Sequence, residues 1–343
     1  MTASTKLVEP HTQSIPISHH GRHEEIRYII SSLLPQFDKI IQSYVLFNAL
    51  FLTLGGIEII LIIFFFTFLA KSAILAFSLA LLFLTFFSYF IFRLYLQTKK
   101  PEQFEGFKQH YLAACKAVLG YREGIPEHHI ALAEACAKLS NALKGKEQGL
   151  YRPPNWLNIL RPYLEKFSLW RHWRDIHRMR ELMLLHAVEE NIKLVKCGPT
   201  SVETHASLAN GYTMLSALYD IPRESLEEEW VPSERMAHLF EQKFQSAVKR
   251  AVEEFTIVSE FAPDDAWAHA QLARSYHILN MPLKEIHEYE TLLQLDPEET
   301  EILSKLGELY FRQGFNAKGL HIYAQLMHIA PAKAEALIAF YGA

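Results

Sequence analysis

Glycine is scarce in this chain. Its 14 glycines among 343 residues make about 4%, against a usual share of about 7%. That argues against phosphate-cradling loops and most all-β designs, and favours helices. Cysteine is scarcer still. Cys115, Cys136 and Cys197 lie far apart with no C-x-x-C pair, so neither a disulfide framework nor a zinc site is expected, and a reducing compartment is natural for the part that carries them. An excess of positive charge is missing too. With 34 Lys and Arg against 38 Asp and Glu, a net charge of −4, no basic field invites nucleic acid. Signatures of catalysis are absent: no G-x-S-x-G elbow, no H-E-x-x-H and no Gly-rich loop. The 17 histidines do not fall into a ligand pattern. His19, His20 and His23 lie at the N-terminal tail, His128 and His129 open a helix, and His172 and His177 are five apart rather than four. No metal, no cofactor and no enzymatic activity is expected.

Apolar sequence is plentiful and concentrated. Hydrophobic residues make up 50% of the chain and the mean hydropathy is +0.02. Tyr44 to Ala70 is a run with one charge, Glu58, and Ser72 to Phe92 has none, with only Lys71 between them. Each run meets the requirement of about 20 apolar residues for crossing a bilayer core, and a backbone in lipid must be helical to satisfy its own hydrogen bonds. The expectation is a transmembrane hairpin over 44–96, with spans 44–70 and 72–92. Runs such as Leu61 to Phe66 are apolar all round, unlike the one-sided stripe of a soluble helix. Arg22, Arg27 and Lys39 precede the block and Arg93, Lys99, Lys100 and Lys108 follow it, whereas the turn offers Lys71 alone. The positive-inside rule therefore places both termini in the cytoplasm of an integral membrane protein. Glu58, one turn after Gly55 and Gly56, is either an intramembrane functional group or a protonated carboxyl that joins helices. A paired hydrophobic block with a minimal turn is similar to the bilobed segment of the inclusion-membrane proteins of intracellular bacteria. The likeness covers about 53 residues and is compositional.

Around the block the readings are helical. Residues 1–22 form a tail without periodicity. Over 23–43, Ile26, Ile29, Ile30, Leu33, Phe37, Ile40 and Ile41 mark one helical face. This is an amphipathic helix that lies on the membrane interface or packs against the protein. The region 97–199 carries further helical patterns, among them Phe104 to Leu119, 156–167 and 169–195. The stretch Trp170-Arg171-His172-Trp173-Arg174 either meets anionic headgroups or turns its Trp residues inward. The acidic run Glu224 to Glu229 ends beside Trp230, a solvated loop or an anchor for a partner.

The C-terminal part repeats. Leu272, Ala273, Tyr276, Asn280, Ile286, Tyr289, Leu292, Leu295 and Pro297 match Leu306, Gly307, Tyr310, Gly314, Leu320, Tyr323, Leu326, Ile329 and Pro331 at a constant offset of 34. Pro263 and Pro199 extend the register upstream, with a 30-residue surplus between them. This pattern resembles the tetratricopeptide repeat, a helix-turn-helix unit. It departs from it at Glu285 and Gly319, where the second helix wants a small Ala, and at His269 and Leu303, where the first wants Trp. The expected organisation is repeats over 200–343: 200–265 with an insertion at 219–240, then 266–299, 300–333 and a capping helix 333–341, after a degenerate unit inside 97–199.

The fold class expected is all-α, a transmembrane helical hairpin followed by an α-solenoid. The resemblance implies that first helices line a concave surface for a protein or peptide. Its candidates are Glu203, Asn210, Trp267, Gln271, Arg274, His277, Glu301, Lys305, Glu308 and Arg312. Asn210 matches one position of the family's carboxylate clamp, but Ala206 stands where its Lys would be, so chaperone-tail binding is not expected. The partners expected are a protein or peptide and membrane lipids, with a possible oligomer through the hairpin. The alternative function is an oligomerising membrane component with Glu58 as its key group.

Overall fold

The computed structural model describes residues 19–65, 73–151, 155–220 and 234–342. The turn expected at Lys71, and Glu224 to Trp230 of the insertion, lie outside the described residues. Among the described residues all regular structure is helical.

Two long antiparallel helices come first, α1 (His19–Phe64) and α2 (Ala73–Leu119). Each joins an apolar run to an amphipathic one without a break, and Pro35 and Pro101 are carried inside them. The juxtamembrane pattern is therefore not a separate helix. Its apolar face packs on the protein. Ile26, Ile29, Leu33, Phe37 and Ile41 share one core with Phe104, Phe107, Tyr111 and Cys115 of α2. Leu132, Cys136 and Leu139 of α3 (Pro126–Ala142) and Ile176, Met179 and Met183 of α4 (Arg161–Cys197) complete that core. Phe37 is fully enclosed and sits 5.3 Å from the Phe107 ring, a burial of about 1.5–3 kcal/mol for such a side chain. The apolar halves of α1 and α2 behave oppositely. They are long and apolar enough to cross a membrane by length and composition, and only 11% and 6% of the respective windows is buried. A helix from the core of a soluble protein would be mostly covered.

The chain then continues as helix pairs. Instead of two patterns near 156–167 and 169–195, a 3₁₀ turn Asn155–Leu160 leads into one uninterrupted α4. Next come α5 (Val202–Tyr219) with α6 (Glu234–Phe261), α7 (Ala266–Ile278) with α8 (Pro282–Leu295), α9 (Thr300–Arg312) with α10 (Asn316–Ile329), and a final α11 (Pro331–Ile338). Each core cluster spans neighbouring pairs. Ala209, Ala251 and Phe255 meet Leu272 and Tyr276, and Ile286 meets Leu303, Leu306 and Tyr310. No pair can bury its face alone, so the stack is an α-solenoid in which neighbours supply the core. The turns inside the last two pairs are alike. Asn280 (φ 54°) and Gly314 (φ 76°) both take the left-handed conformation. There Met281 N–H donates to the Tyr276 carbonyl at 2.9 Å, and Phe315 N–H to that of Tyr310 at 2.8 Å. This closes a helix with a residue that tolerates positive φ.

Candidate functional site

The first helices α5, α7 and α9 carry all ten candidate residues. Glu203, Asn210, Trp267, Arg274, His277, Glu301, Lys305 and Arg312 are exposed, while Gln271 and Glu308 are half-buried. The repeat pattern causes this directly. Leu272, Ala273 and Tyr276 turn inward at steps of one and three, so Trp267, Gln271 and Arg274, at steps of four and three, fall on the opposite face. Trp267 keeps 39% exposure while its ring meets Phe255 edge-on at 5.4 Å. A large aromatic held by the stack yet open to solvent is the usual kind of anchor at an interface.

Several of these groups are tied by neighbours. Lys333 of α11 bonds Glu301 at 2.6 Å. Arg312 bonds Glu308 at 2.5 Å and lies over the Phe340 ring at 5.3 Å. Ser201 donates to Glu203 at 2.6 Å. His277 Nδ1 sits 3.1 Å from Oε1 of Glu285 on α8. Burial raises the Glu285 carboxyl above the ordinary carboxylate value, against the opposing pull of His277 and Lys305. The α7–α9 stretch thus groups Trp267 and Arg274 on one helix with the His277–Glu285 pair and the field of Lys305.

Reasoning from the sequence missed a second feature. A cavity of about 700 Å³ opens between the second helices α8 and α10, with the buried Leu306 and Tyr310 of α9 at its base. Glu290 guards it, accepting from Tyr310 Oη at 2.5 Å and Lys318 Nζ at 2.7 Å. Its polar lining, Glu290, Gln294, Lys318, His321 and Gln325, comes from second-helix positions outside the repeat signature, so the pattern gave no sign of it.

In the hairpin, Thr85 Oγ1 donates across the helix pair to Glu58 Oε1 at 2.8 Å. Glu58 Oε2 has no hydrogen-bond partner among the described residues. Where the hairpin meets the helical domain, buried polar groups form a relay. Tyr89 Oη donates to Asn48 Oδ1 at 3.2 Å, Asn48 Nδ2 to Tyr151 Oη at 3.2 Å, and Tyr151 Oη lies 3.0 Å from His172 Nε2. Beside it Lys100 bonds Asp175 at 2.5 Å. Burial alone would raise the Asp175 carboxyl, but the neighbouring His172 ring and the bond from Lys100 hold it below the usual carboxylate range. The two tryptophans at 170 and 173 divide the alternatives between them. Trp173 stacks inward on His177 at 4.8 Å, whereas Trp170 stays 53% exposed.

No protein-family model and no curated protein sequence matches the chain. Solved structures do resemble it. MamA is 14% identical over 70% of this chain and 95% of its own, with a TM-score of 0.35. TTC0263, a thermophilic TPR protein from Thermus thermophilus, is 16% identical over 61% and 96%, with a TM-score of 0.30. YrrB, a TPR protein with an unusual peptide-binding site, is 16% identical over 60% and 97%, with a TM-score of 0.26. At these scores the likeness is one of helix-pair architecture and carries no weight for a site.

Proposed function

We propose that this chain is a membrane-anchored scaffold whose helix-pair stack presents a binding surface to a protein or peptide. The observation that carries this reading is the contrast within one molecule. The apolar halves of α1 and α2 are almost wholly uncovered, while the stack that follows closes its own core and exposes Trp267, Arg274 and Lys305 along its first helices. Uncovered apolar helices of this length belong in lipid, and the basic flanks place both termini in the cytoplasm. The surface combines one aromatic anchor with mixed charge, which suits a polar peptide or protein face better than an apolar ligand. The role is one of binding, not catalysis. Pull-down with the detergent-solubilised full chain, set beside Trp267→Ala and Arg274→Ala, tests it. A specific partner lost in both variants supports the reading. Capture that both substitutions leave unchanged moves the surface elsewhere, and no specific partner in any relevant lysate sinks it. A tag placed at Lys71 that stays closed to protease from outside the cell counts against the hairpin.

A second reading has support in the hairpin itself. Gly55 is buried and Gly56 half-buried, yet neither has anything within 4 Å of where a Cβ would stand, which leaves room beside Gly56 for the helix of a second copy. Cross-linking in detergent, weakened by Gly56→Leu and Glu58→Leu, is the expected signature. A monomeric native chain removes this reading.

A further inference from the structure

We infer that the start of α4, from Arg161 to Arg174, together with the 3₁₀ turn before it, forms an interfacial foot that binds anionic phospholipid headgroups of the bilayer the hairpin enters. This rests on the membrane reading above and adds a second lipid contact of different chemistry.

Position comes first. Asn48 lies four residues into the first apolar run, about 6 Å at 1.5 Å per residue. Tyr89 lies three residues from the end of the second run. Both are bonded into the relay that ends on Tyr151 and His172, so His172 of α4 stands at the depth of the headgroup layer. Further along α4, Ile176 and Met179 belong to the core shared with Ile41 of α1, on the side away from the bilayer. Passing from Met179 back to His172 therefore moves toward the membrane, and ring contacts keep Phe167 and Trp170 beside the relay. The Tyr151 ring meets Phe167 at 5.1 Å, and Phe167 meets Trp170 at 5.9 Å, which ties this segment to the relay.

Chemistry comes second. Ile159 (79%), Leu160 (42%), Tyr163 (71%) and Trp170 (53%) are large exposed side chains of the segment. Aromatic rings with a polar edge are the residues that collect at the membrane–water boundary. Between and after them stand the basic residues Arg161, Lys166, Arg171 and Arg174, against Glu165 alone, which is paired with Arg161 at 3.0 Å. Arg174 is exposed and Arg171 half-buried, so both carry positive charge to this face. Apolar and aromatic groups facing lipid, with a surplus of positive charge among them, match an anionic headgroup layer.

The test reconstitutes the full chain in vesicles of phosphatidylcholine, with or without roughly a third phosphatidylserine, and reads quenching of tryptophan emission by brominated lipid. The native chain is expected to be quenched more than Trp170→Phe, and more strongly with phosphatidylserine. The triple variant Arg161→Gln, Lys166→Gln, Arg174→Gln is expected to lose the phosphatidylserine effect, as is the native chain at high salt. Equal quenching in native chain and Trp170→Phe, or no dependence on phosphatidylserine, overturns the proposal. It also leaves this face to a protein partner. Alkaline carbonate washing separates the two failures. Release of the chain from vesicles refutes the hairpin, whereas retention without Trp170 quenching refutes the foot alone.

Discussion

His269 Nδ1 lies 2.7 Å from Glu288 Oε2, and its Nε2 lies 2.9 Å from the Pro263 carbonyl. The preceding unit repeats this clasp. His205 Nδ1 is 2.7 Å from Glu254 Oε2, and Nε2 is 3.0 Å from the Pro199 carbonyl. In both, the histidine stands six residues after one proline and the glutamate nine residues before the next. Glu190, also nine before Pro199, takes His129 at 2.7 Å. At the corresponding places of the last unit stand Leu303 and Ile322, both buried. One position pair inside the stack is therefore filled either by a hydrogen-bonded His–Glu pair or by two aliphatic side chains.

That equivalence sets an expectation for exchange. His269→Leu alone leaves the Glu288 carboxylate buried without its partner, a loss of about 3–5 kcal/mol. Glu288→Ile alone strands the imidazole. The double variant His269→Leu, Glu288→Ile recreates the pair of the last unit and is expected to return to near native stability. Chemical unfolding of the detergent-solubilised chain checks this. Additive losses in the double variant would mean that the two side chains act independently.

Two histidines set opposite pH limits. Burial pushes the His177 ring down to about 4. Below the ordinary value near 6.5 the unfolded chain takes up a proton that the folded chain refuses. Stability is therefore lost as pH falls from about 6.5 toward 4, by about 1.4 kcal/mol per pH unit. Burial pulls on His205 too, but the Glu254 carboxylate and the Pro199 carbonyl together raise it above its ordinary value. Its contribution is complete below about 6.5 and fades as pH rises through the raised value. In melting temperatures measured across pH, His177→Phe is expected to flatten the acid limb and His205→Gln the neutral one. An unchanged acid limb in His177→Phe would assign it to other groups.

Much of this architecture was legible. The offset of 34, the closing prolines and the two apolar runs are local signals, and each corresponds to helices that now have coordinates. What escaped was compensation between positions. Glu285 and Gly319 both depart from the small alanine the second helix calls for, and neither departure could be explained from its own position. Each is answered by the residue at one shared register of the first helix. His277 bonds Glu285, and Phe311 fills the space above Gly319. A polar pair in one unit and an aromatic–glycine pair in the next solve the same packing problem. Helix continuity escaped as well. Periodicity marks faces but not joints, so α1 and α2 were read in pieces. On the first-helix face, the sequence shows which residues point outward but not which are already held, as Lys333 holds Glu301.

The aromatic–glycine pair is expected to be intolerant of a methyl group. A Cβ on Gly319 would stand 2.5 Å from the Phe311 ring, which is itself buried and set edge-on against Tyr341 at 5.5 Å. Overpacking of this kind costs about 1–3 kcal/mol, more than the gain of about 1 kcal/mol from placing Ala for Gly in a helix. Gly319→Ala is expected to be destabilising, and Phe311→Leu added to it to recover part of the loss. A stabilised Gly319→Ala would show that the ring yields freely.

The join between hairpin and stack is expected to be breakable without harm to the distant repeats. Lys100 and Asp175 bond at 2.5 Å with side chains only 11% and 14% exposed, and Lys100 also lies over the Tyr44 ring at 4.4 Å. Asp175→Asn removes the countercharge from a buried ammonium, with the His172 ring 3.7 Å away. A charge left without its counterion in a dry setting costs more than the bond itself was worth. Because each unit of the stack touches only its neighbours, the damage should stay near its source. Hydrogen exchange in lipid is expected to quicken around Tyr44 to Asn48, Lys100 to Phe104 and Ser168 to Ile176, and to stay native in α7 to α10. Uniform quickening through α10 would mean that the hairpin and the whole stack unfold as one cooperative body, with the junction part of a single core.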